Sequence, residues 1–281
     1  MTAALEGKRC VVTGANTGIG LEIASALARD GADVTLVCRN PGRGVAAVNA
    51  IRDATGNPRV GLAVCDVGDP AAVRACSETL SNGGSRIDVL VNNAGVWAPR
   101  RQLTPAGREL MLAINHLGPF LMTNLLLDRL AGARVITTSS AAHSMARLDL
   151  DDLDAARRWS AMRQYGATKL ANILFTRELA LRLSGSGVVA ACLHPGVVAT
   201  GIGQRGGFFE LGWRLMKPFM LSPERGAESA LFLATVPDPA PFHGGYVIGK
   251  ALAQPDAPAR DDALARHLWD ESARLVGLPL T

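Results

Sequence analysis

A tyrosine and a lysine in the stretch QYGATK, Tyr165 and Lys169, have the types and the spacing needed to move a proton. Tyrosine is scarce in this protein, because the chain of 281 residues contains only one other, Tyr246. Side chains at positions i and i+4 lie on the same face of a helix. A phenol titrates near pH 10, so its pKa must fall by about 3 before it exchanges protons readily at neutrality, and a nearby ammonium group favours the phenolate. The pair therefore indicates general acid/base chemistry on a substrate oxygen.

A hydroxyl group that could hold the same oxygen lies upstream of this pair. The β-branched run VITTSS ends in Ser139 and Ser140. A serine hydroxyl facing the tyrosine could hydrogen-bond the reacting oxygen and fix its position. The residues themselves leave both serines as candidates.

Glycines follow the first β-branched run in the stretch TGANTGIG. Gly14, Gly18 and Gly20 would lie on a turn from a strand into a helix. Glycines there let the backbone approach a pyrophosphate, which meets the unpaired amides and the positive dipole end of the helix. Such a turn also needs glycines for purely steric reasons, so this motif alone leaves both interpretations open.

Two charged residues follow the next two runs and bear on the type of dinucleotide. Proteins that prefer NAD usually carry Asp or Glu at the end of the second strand, whereas this chain has Arg39 in VCRN. A forked guanidinium there could pair with the 2'-phosphate of NADP(H), and the alternative is a solvated arginine. Asp66 in CDVGDP could accept a hydrogen bond from the adenine amino group, or could simply be solvated.

The fourth run ends in NNAG. Asn92 and Asn93 supply amide groups that could brace neighbouring strands, and the small Ala94 and Gly95 allow backbone to lie close to a ligand. Asn and Gly are also ordinary loop residues, so the motif is not decisive alone.

Short β-branched runs alternate with longer helical patterns, which is typical of successive βαβ units and a parallel sheet. We expect an α/β fold, a doubly wound sheet with helices on both faces, forming one domain over residues 1–281. Ligands bind such sheets beyond the carboxyl ends of the strands, where every motif above falls. The expected strands are 9–13, 33–38, 59–65, 88–92, 134–139, 188–193 and 246–248, and the expected helices are 18–29, 43–54, 71–80, 106–130, 160–183, 223–234 and about 261–276.

Composition excludes several classes of function. The net charge of +4 is spread over scattered arginines, so we expect no nucleic-acid partner. Five cysteines without a CxxC pair indicate buried thiols in a reducing compartment. There is no GxSxG elbow, and the five histidines lack metal-ligand spacing, so we expect neither a hydrolase nor a metal site. Without signal-peptide features or a run of about 18 apolar residues, we expect no membrane span and a cytoplasmic location.

Taken in order, TGxxxGxG, NNAG, a serine after the fifth strand, YxxxK and PG after the sixth strand resemble the short-chain dehydrogenases/reductases. The resemblance covers nearly the whole chain, and five motifs at successive strand ends make chance implausible. It implies a Rossmann-type sheet of about seven strands in the order 3-2-1-4-5-6-7.

The resemblance also implies roles. The tyrosine of YxxxK is the general acid/base in that family, and the lysine holds the nicotinamide ribose and lowers the tyrosine pKa, which assigns Tyr165 and Lys169. The second serine of such a pair is usually the catalytic one, so Ser140 is favoured and Ser139 is the fallback. Asn115 matches the helix asparagine that supports the lysine. The residues implied to bind the cofactor are Gly14, Asn16, Thr17, Gly18, Ile19, Gly20, Arg39, Asn40, Asp66, Val67, Asn93, Ala94, Gly95, Tyr165, Lys169, Pro195, Gly196, Val198 and Thr200.

A narrower resemblance points to the retinol dehydrogenase branch. It rests on TGANTGIG, the arginine in VCRN, INHLGPF, the long gap between Ser140 and Tyr165, and the tail HLWDESARLVGL. That branch implies NADP(H) and an apolar aldehyde, ketone or alcohol. The family's substrate lid falls at about 201–222, where the apolar side chains of QRGGFFELGWRLMKPFM could line a pocket, meet a partner subunit or rest on a membrane surface. We favour the pocket.

We therefore predict an NADP(H)-dependent oxidoreductase that interconverts a carbonyl and an alcohol on a small to medium apolar substrate. The alternative is a non-catalytic NADP(H)-binding sensor or scaffold on the same fold. A homodimer formed through helices 106–130 and 160–183 is a further expectation.

Overall fold

A single twisted sheet runs through the molecule. The computed structural model describes residues 4–82, 84–196 and 221–280. Neighbouring strands follow the order β3-β2-β1-β4-β5-β6-β7-β8, and the first seven are parallel. The strands are β1 Arg9–Thr13, β2 Asp33–Cys38, β3 Val60–Val64, β4 Val89–Asn92, β5 Arg134–Thr138, β6 Val189–His194, β7 Tyr246–Ile248 and β8 Ala251–Ala253. The predicted doubly wound parallel sheet is confirmed.

The sheet has one strand more than the sequence predicted. β8 pairs antiparallel with β7 after a turn at Gly249 and Lys250. Gly249 has φ +63°, the left-handed conformation that two-residue hairpin turns require. A strand of only three apolar residues, ALA, gives no recognisable alternation, so the sequence pattern did not reveal it.

Helices cover both faces of the sheet. The helices are α1 Gly18–Arg29, α2 Pro41–Thr55, α3 Pro70–Ser81, α4 Leu110–Leu112, α5 Gly118–Leu125, α6 Ala161–Arg182, α7 Pro223–Thr235 and α8 Asp262–Val276. α1, α2 and α7 pack on one face, and α3, α5, α6 and α8 pack on the other. Adjacent residues of β1 point to opposite sides, so that Val11 joins one core while Cys10 and Val12 join the other. All five cysteines are buried and free, as the sequence indicated.

The helix expected over 106–130 is shorter and irregular. Gly107 adopts φ +78° in a turn, and the helix begins only after Glu109, whose carboxylate accepts a hydrogen bond from the Leu112 amide at 2.8 Å. A π-helical turn, Ala113–Leu117, separates α4 from α5. Such turns often occur at functional sites, and this one contains Asn115. Among the described residues, no helix is long and apolar enough to cross a membrane.

Candidate active site

Three side chains named by the sequence meet where β5 ends against α6. The Ser140 side chain forms a hydrogen bond with Tyr165. The Nζ atom of Lys169 lies 5.5 Å from the centre of the Tyr165 ring. The strand brings the serine to the carboxyl edge of the sheet, and the i+4 spacing on α6 presents the other two side chains to it. A hydroxyl, a phenol and an ammonium group therefore share one site.

The two serines after β5 occupy different surroundings. Ser139 is buried, and its Oγ donates a hydrogen bond to the carbonyl oxygen of Lys169 at 2.7 Å, which ties β5 to α6. Ser140 begins the short 3-10 turn Ala141–Met145, and its Oγ accepts a hydrogen bond from the Ala142 amide at 3.2 Å. The hydroxyl of Ser140 is thus the one beside the phenol.

Lys169 is buried and holds its ammonium group against the end of β5. Its Nζ donates a hydrogen bond to the carbonyl oxygen of Thr138 at 3.2 Å. Burial disfavours the charged form and lowers the pKa of Lys169 to about 8, while the Cys192 thiol acts in the opposite direction. Within the described ranges, that carbonyl is the acceptor the ammonium contacts, so its other protons are available to a ligand.

The phenol of Tyr165 differs from the sequence expectation. Burial raises its pKa above the ordinary value of 10.0, and the hydrogen bond with Ser140 lowers it by a smaller amount. Lys169 lies over the ring face and points its Nζ at Thr138. The expected lowering by the lysine is therefore not present in this structure, and the neutral phenol is the form that the site holds at neutral pH.

Asn115 fastens the loop after β4 to α6. Its Oδ1 accepts a hydrogen bond from the Val96 amide at 2.7 Å, and its Nδ2 donates to the Val96 carbonyl at 3.0 Å and to Thr168 Oγ1 at 3.0 Å. A Cβ atom added to Gly95 would lie 3.5 Å from Lys169 Nζ and 3.6 Å from Asn115 Oδ1. The sequence NNAG and the lysine are thus immediate neighbours.

The glycine turn after β1 and the NNAG loop lie against each other. Gly14 adopts φ +66°, and a Cβ atom there would come within 2.9 Å of the Ala94 Cα. Thr13 Oγ1 accepts hydrogen bonds from the amides of Asn93 and Ala94, both at 3.0 Å, and Asn93 Nδ2 donates to the Thr13 carbonyl at 3.0 Å. Asn92 Nδ2 also donates to Thr137 Oγ1 of β5 at 3.5 Å, so the bracing of neighbouring strands that the sequence suggested is made by both asparagines.

The first turn of α1 has the chemistry of an anion site. Its N-cap residue, Thr17, makes no side-chain capping hydrogen bond. The caps of five other helices do accept one from the backbone; these are Asn40, Asp69, Glu109, Ser222 and Asp261. Gly18 adopts φ +56° beside Asn16, and Ile19 is half-buried. A turn of glycines with uncapped amides fits a dinucleotide pyrophosphate.

The residues proposed for the adenosine end lie at the ends of β2 and β3. Arg39 and Asp66 form a loose ion pair, with 3.7 Å between Nη1 and Oδ2, and the Arg39 side chain is 64% exposed. Asp66 also accepts a hydrogen bond from the Gly68 amide at 3.0 Å. The Asn40 side chain caps α2 by accepting from the Arg43 amide at 2.9 Å, which gives it a structural role.

At three other residues that were predicted to bind the cofactor, the structure constrains the backbone rather than the side chain. The Val67 carbonyl oxygen lies so close to Gly118 that no Cβ fits there, which explains a glycine at the start of α5. Pro195 and Gly196 follow β6, and Gly196 adopts φ +82°. Val198, Thr200 and most of the lid at 201–222 lie outside the described residues.

Sequence reasoning missed the polar residues behind the lysine. Asn172 donates a hydrogen bond from Nδ2 to the same Thr138 carbonyl that Lys169 contacts, at 3.0 Å, and its Oδ1 faces the buried His116. The spacing of Asn172, three residues after Lys169 on one helix, could have revealed it. Ser272, which contacts His116 from α8, had no sequence signal because it is distant along the chain.

Known proteins are similar to this chain in both sequence and fold. The model of the short chain dehydrogenase family matches residues 8–206. Retinol dehydrogenase 12 of Mus musculus is 41% identical over 277 residues, which cover 98% of this chain and 88% of that protein. A crystal structure of an uncharacterized protein from Mycobacterium paratuberculosis superposes with a TM-score of 0.81 at 34% identity, covering 100% of this chain and 99% of the other.

A second solved structure is a short chain dehydrogenase from Burkholderia cenocepacia in complex with NADP. It has a TM-score of 0.71 at 27% identity and covers 87% of this chain and 97% of that one. The mostly parallel sheet with helices on both faces agrees with these matches. This chain belongs to the short-chain dehydrogenase/reductase family of nicotinamide-dependent oxidoreductases, in its retinol dehydrogenase-like branch.

Proposed function

We propose that this protein interconverts a carbonyl and an alcohol on a small to medium apolar substrate with NADP(H). The observation that carries the proposal is the meeting of the Ser140 hydroxyl, the Tyr165 phenol and the Lys169 ammonium at the carboxyl edge of the sheet. A bound nicotinamide supplies or accepts the hydride. The protein has to hold the substrate oxygen and to give or take one proton.

Ser140 and Tyr165 divide this work on the substrate oxygen. The serine hydroxyl hydrogen-bonds that oxygen and orients it toward the phenol. In the reductive direction Tyr165 donates its proton, and the alcohol leaves with it. Burial raises the pKa of Tyr165, so the phenol is protonated at neutral pH and is ready to act as the acid. We propose that reduction is faster near neutral pH and oxidation at higher pH.

Lys169 and Asn115 serve the cofactor end of the site. In the part of the chain that the structure describes, the Lys169 ammonium donates to the Thr138 carbonyl, and it offers its remaining protons to the ribose hydroxyls of a nicotinamide nucleotide. Asn115 keeps Val96 and the adjoining NNAG loop beside the lysine. In this proposal one domain, residues 1–281, both binds the cofactor and performs the chemistry.

Arg39 supports the choice of NADP(H). Its guanidinium is exposed at the end of β2, where NAD-specific proteins place a carboxylate, and its pairing with Asp66 is long enough to leave it free for a phosphate. We expect Arg39→Gln to raise the KM for NADPH about 10- to 100-fold, the effect of one charge-assisted hydrogen bond, and to leave the KM for NADH unchanged. Arg266→Gln, on the exposed side of α8, is the matched control. Equal losses for both cofactors would refute this role.

The apolar substrate is supported by sequence and by relatives. The lid, mostly outside the described residues, carries two phenylalanines in tandem, Phe208 and Phe209, followed by Trp213. Related curated proteins are named retinol dehydrogenases, and retinol is an apolar alcohol. We propose that the substrate is of this apolar kind, that the enzyme works in the cytoplasm, and that it assembles as a homodimer.

The test is loss of NADPH absorbance against a panel of apolar aldehydes and aromatic ketones. We expect Tyr165→Phe to abolish turnover and to leave NADPH binding, measured by nucleotide fluorescence, unchanged. Tyr246→Phe is the matched control, because the other tyrosine is buried with a hydroxyl that has no hydrogen-bond partner among the described residues. A Tyr165→Phe variant that keeps most of its rate would exclude the proposed mechanism. NADPH binding without consumption in the unaltered protein would favour the sensor alternative.

A further inference from the structure

A buried chain of hydrogen bonds connects the C-terminal helix to the lysine of the site. Ser272 Oγ on α8 lies 2.8 Å from His116 Nε2, and His116 Nδ1 lies 3.3 Å from Asn172 Oδ1. Asn172 Nδ2 lies 3.0 Å from the Thr138 carbonyl oxygen, and Lys169 Nζ lies 3.2 Å from the same oxygen. His116 and Ser272 are each 0% exposed, so these bonds lie away from bulk solvent. This series of hydrogen bonds crosses the core from α8 to the edge of the sheet.

The direction of every bond in this chain follows from its chemistry. A carbonyl oxygen only accepts, so Asn172 must turn its NH₂ group to Thr138 and its Oδ1 to His116. His116 must then carry its proton on Nδ1, which leaves Nε2 as an acceptor for the Ser272 hydroxyl. Burial lowers the pKa of His116 to about 4, so the ring is neutral at physiological pH and can keep this single tautomer.

This direction matters for Lys169. In the observed orientation, the Asn172 amide places its NH₂ group beside the Lys169 ammonium group. Both groups donate to the Thr138 carbonyl oxygen. If the amide were reversed, Oδ1 would face the ammonium, would bind one of its protons, and would repel the Thr138 carbonyl oxygen. The orientation in the structure therefore keeps the remaining lysine protons available for a ligand. Within the described ranges, the hydrogen bonds of the His116 ring go to Asn172 and Ser272 and none goes to Lys169, so the path from His116 to the lysine passes through Asn172.

We propose that His116 and Ser272 are positioning residues, which fix the orientation of the Asn172 amide and thereby hold the Lys169 ammonium ready to bind the cofactor ribose. The part of this inference that concerns the ribose rests on the proposed function. The part that concerns the lysine does not, because the state of Lys169 can be measured without turnover. The C-terminal helix thus acts on the site from behind the sheet edge.

Lysine NMR gives a direct readout. The chain has only four lysines, Lys8, Lys169, Lys217 and Lys250, so ¹³Cε-labelled protein gives few signals, and Lys169→Arg assigns the one of interest. We expect Lys169 in the unaltered protein to titrate near 8. Among the described residues, two other titratable groups face it: Cys192 on β6 and Tyr165 on α6. Burial raises the pKa of both, to about 12 for the thiol, so neither changes charge in this range.

Two substitutions of His116 separate positioning from packing. His116→Asn keeps an N–H near the place of Nδ1, which still bonds to Asn172, whereas His116→Gln keeps an amide near Nε2 and loses that donor. We expect the His116→Asn variant to leave the pKa of Lys169 near 8. We expect the His116→Gln variant to raise this pKa by roughly 1, because the freed Oδ1 of Asn172 then turns to the ammonium group. A role in packing alone predicts the reverse order, since Gln is closer to His in volume.

Turnover and cofactor binding complete the test. We expect His116→Gln to lower kcat about tenfold and to weaken NADPH binding, with the KM for the carbonyl substrate unchanged, and His116→Asn to restore most of both. Ser272→Ala deletes one hydroxyl group and is the least disruptive of these changes. It should shift the pKa of Lys169 in the same direction as His116→Gln does. The control is Ser77→Ala on α3, because Ser77 is also buried and its Oγ has no partner among the described residues.

The outcomes distinguish this inference from the proposed function. If folded His116→Gln and Ser272→Ala both titrate at Lys169 as the unaltered protein does, His116 and Ser272 do not position the lysine and the inference is overturned, whatever the activity. If the unaltered protein shows no Tyr165-dependent turnover but the lysine pKa shifts as expected, the proposed function fails and the positioning of Lys169 stands. Circular dichroism of each variant confirms that it is folded before it is titrated.

Discussion

Replacing Lys169 with methionine should make the folded protein more stable while removing its activity. Methionine matches lysine in length and flexibility but carries no charge. In the folded protein burial lowers the pKa of Lys169 from 10.5 to about 8, a difference that corresponds to about 3 kcal/mol of unfavourable free energy for the charged form. The lost hydrogen bond to Thr138 offsets about 1 kcal/mol, because Asn172 still donates to that carbonyl. We expect a net gain of about 2 kcal/mol in unfolding free energy at pH 7.

The gain in unfolding free energy from Lys169→Met should depend on pH, because the charge of Lys169 does. Below pH 8 the lysine is protonated in both the folded and the unfolded chain, so the full penalty is present. Between pH 8 and 10.5 the unfolded chain binds more protons, and the unaltered protein becomes more stable relative to the methionine variant as the pH rises. The advantage of the variant should therefore shrink through this window and be absent above it.

Urea unfolding followed by the fluorescence of the four tryptophans measures the effect at pH 7 and at pH 10. The control is Lys250→Met in the exposed turn between β7 and β8, which should change the unfolding free energy by less than about 0.5 kcal/mol at either pH. If Lys169→Met is less stable than the unaltered protein at pH 7, or if its gain is the same at both pH values, burial of the charged ammonium does not destabilise the fold and the reasoning is refuted.

Two further predictions follow from the backbone of the glycine turn and from the buried histidine. A Cβ atom at Gly20 would overlap the Gly14 carbonyl oxygen and lie 2.5 Å from Asn93 Nδ2. We therefore expect Gly20→Ala to weaken NADPH binding at least about tenfold in a fluorescence titration. Gly61→Ala is the control and should leave binding unchanged, because a Cβ atom at Gly61 would have no atom within 4 Å. His116 has an ordinary pKa of 6.5 and a folded pKa of about 4, so the unfolded chain binds more protons in this window and about 3 kcal/mol of stability should be lost as the pH falls through it. His116→Asn should remove that part of the acid sensitivity in urea titrations, and an unchanged slope between pH 6.5 and pH 4 would contradict it.

Regular elements could be predicted because their signals are local. The strand and helix bounds of β1, β2, α1 and β7 agree with the sequence expectation at both ends, since β-branched runs and glycine turns mark them. The expected helix over 106–130 was wrong at its start because Gly107 and the capping carboxylate of Glu109 set the helix beginning. The π-helical turn around Asn115 also has no local signature.

The candidate site was predictable to the extent that its residues follow strands. Ser140 and the NNAG loop lie at strand ends, and Tyr165 and Lys169 lie one helical turn apart, so spacing alone brings them together. The ionisation of the site was not predictable, because burial depends on the whole fold. The sequence led to an expectation of a lowered phenol pKa, whereas burial raises the pKa of Tyr165 and lowers that of Lys169.

A buried lysine that destabilises the fold requires a structural reason for its position, and the surrounding contacts supply it. Its ammonium group is not paired with a carboxylate among the described residues, which would raise its pKa and occupy its protons. It is held instead by one carbonyl oxygen, and Asn172 shares that oxygen with an orientation fixed through His116 and Ser272. A neutral, directional set of hydrogen bonds positions the charge without neutralising it. The stability lost to burial and the protons left free for a ligand therefore have the same physical origin, and Lys169→Met should remove both together.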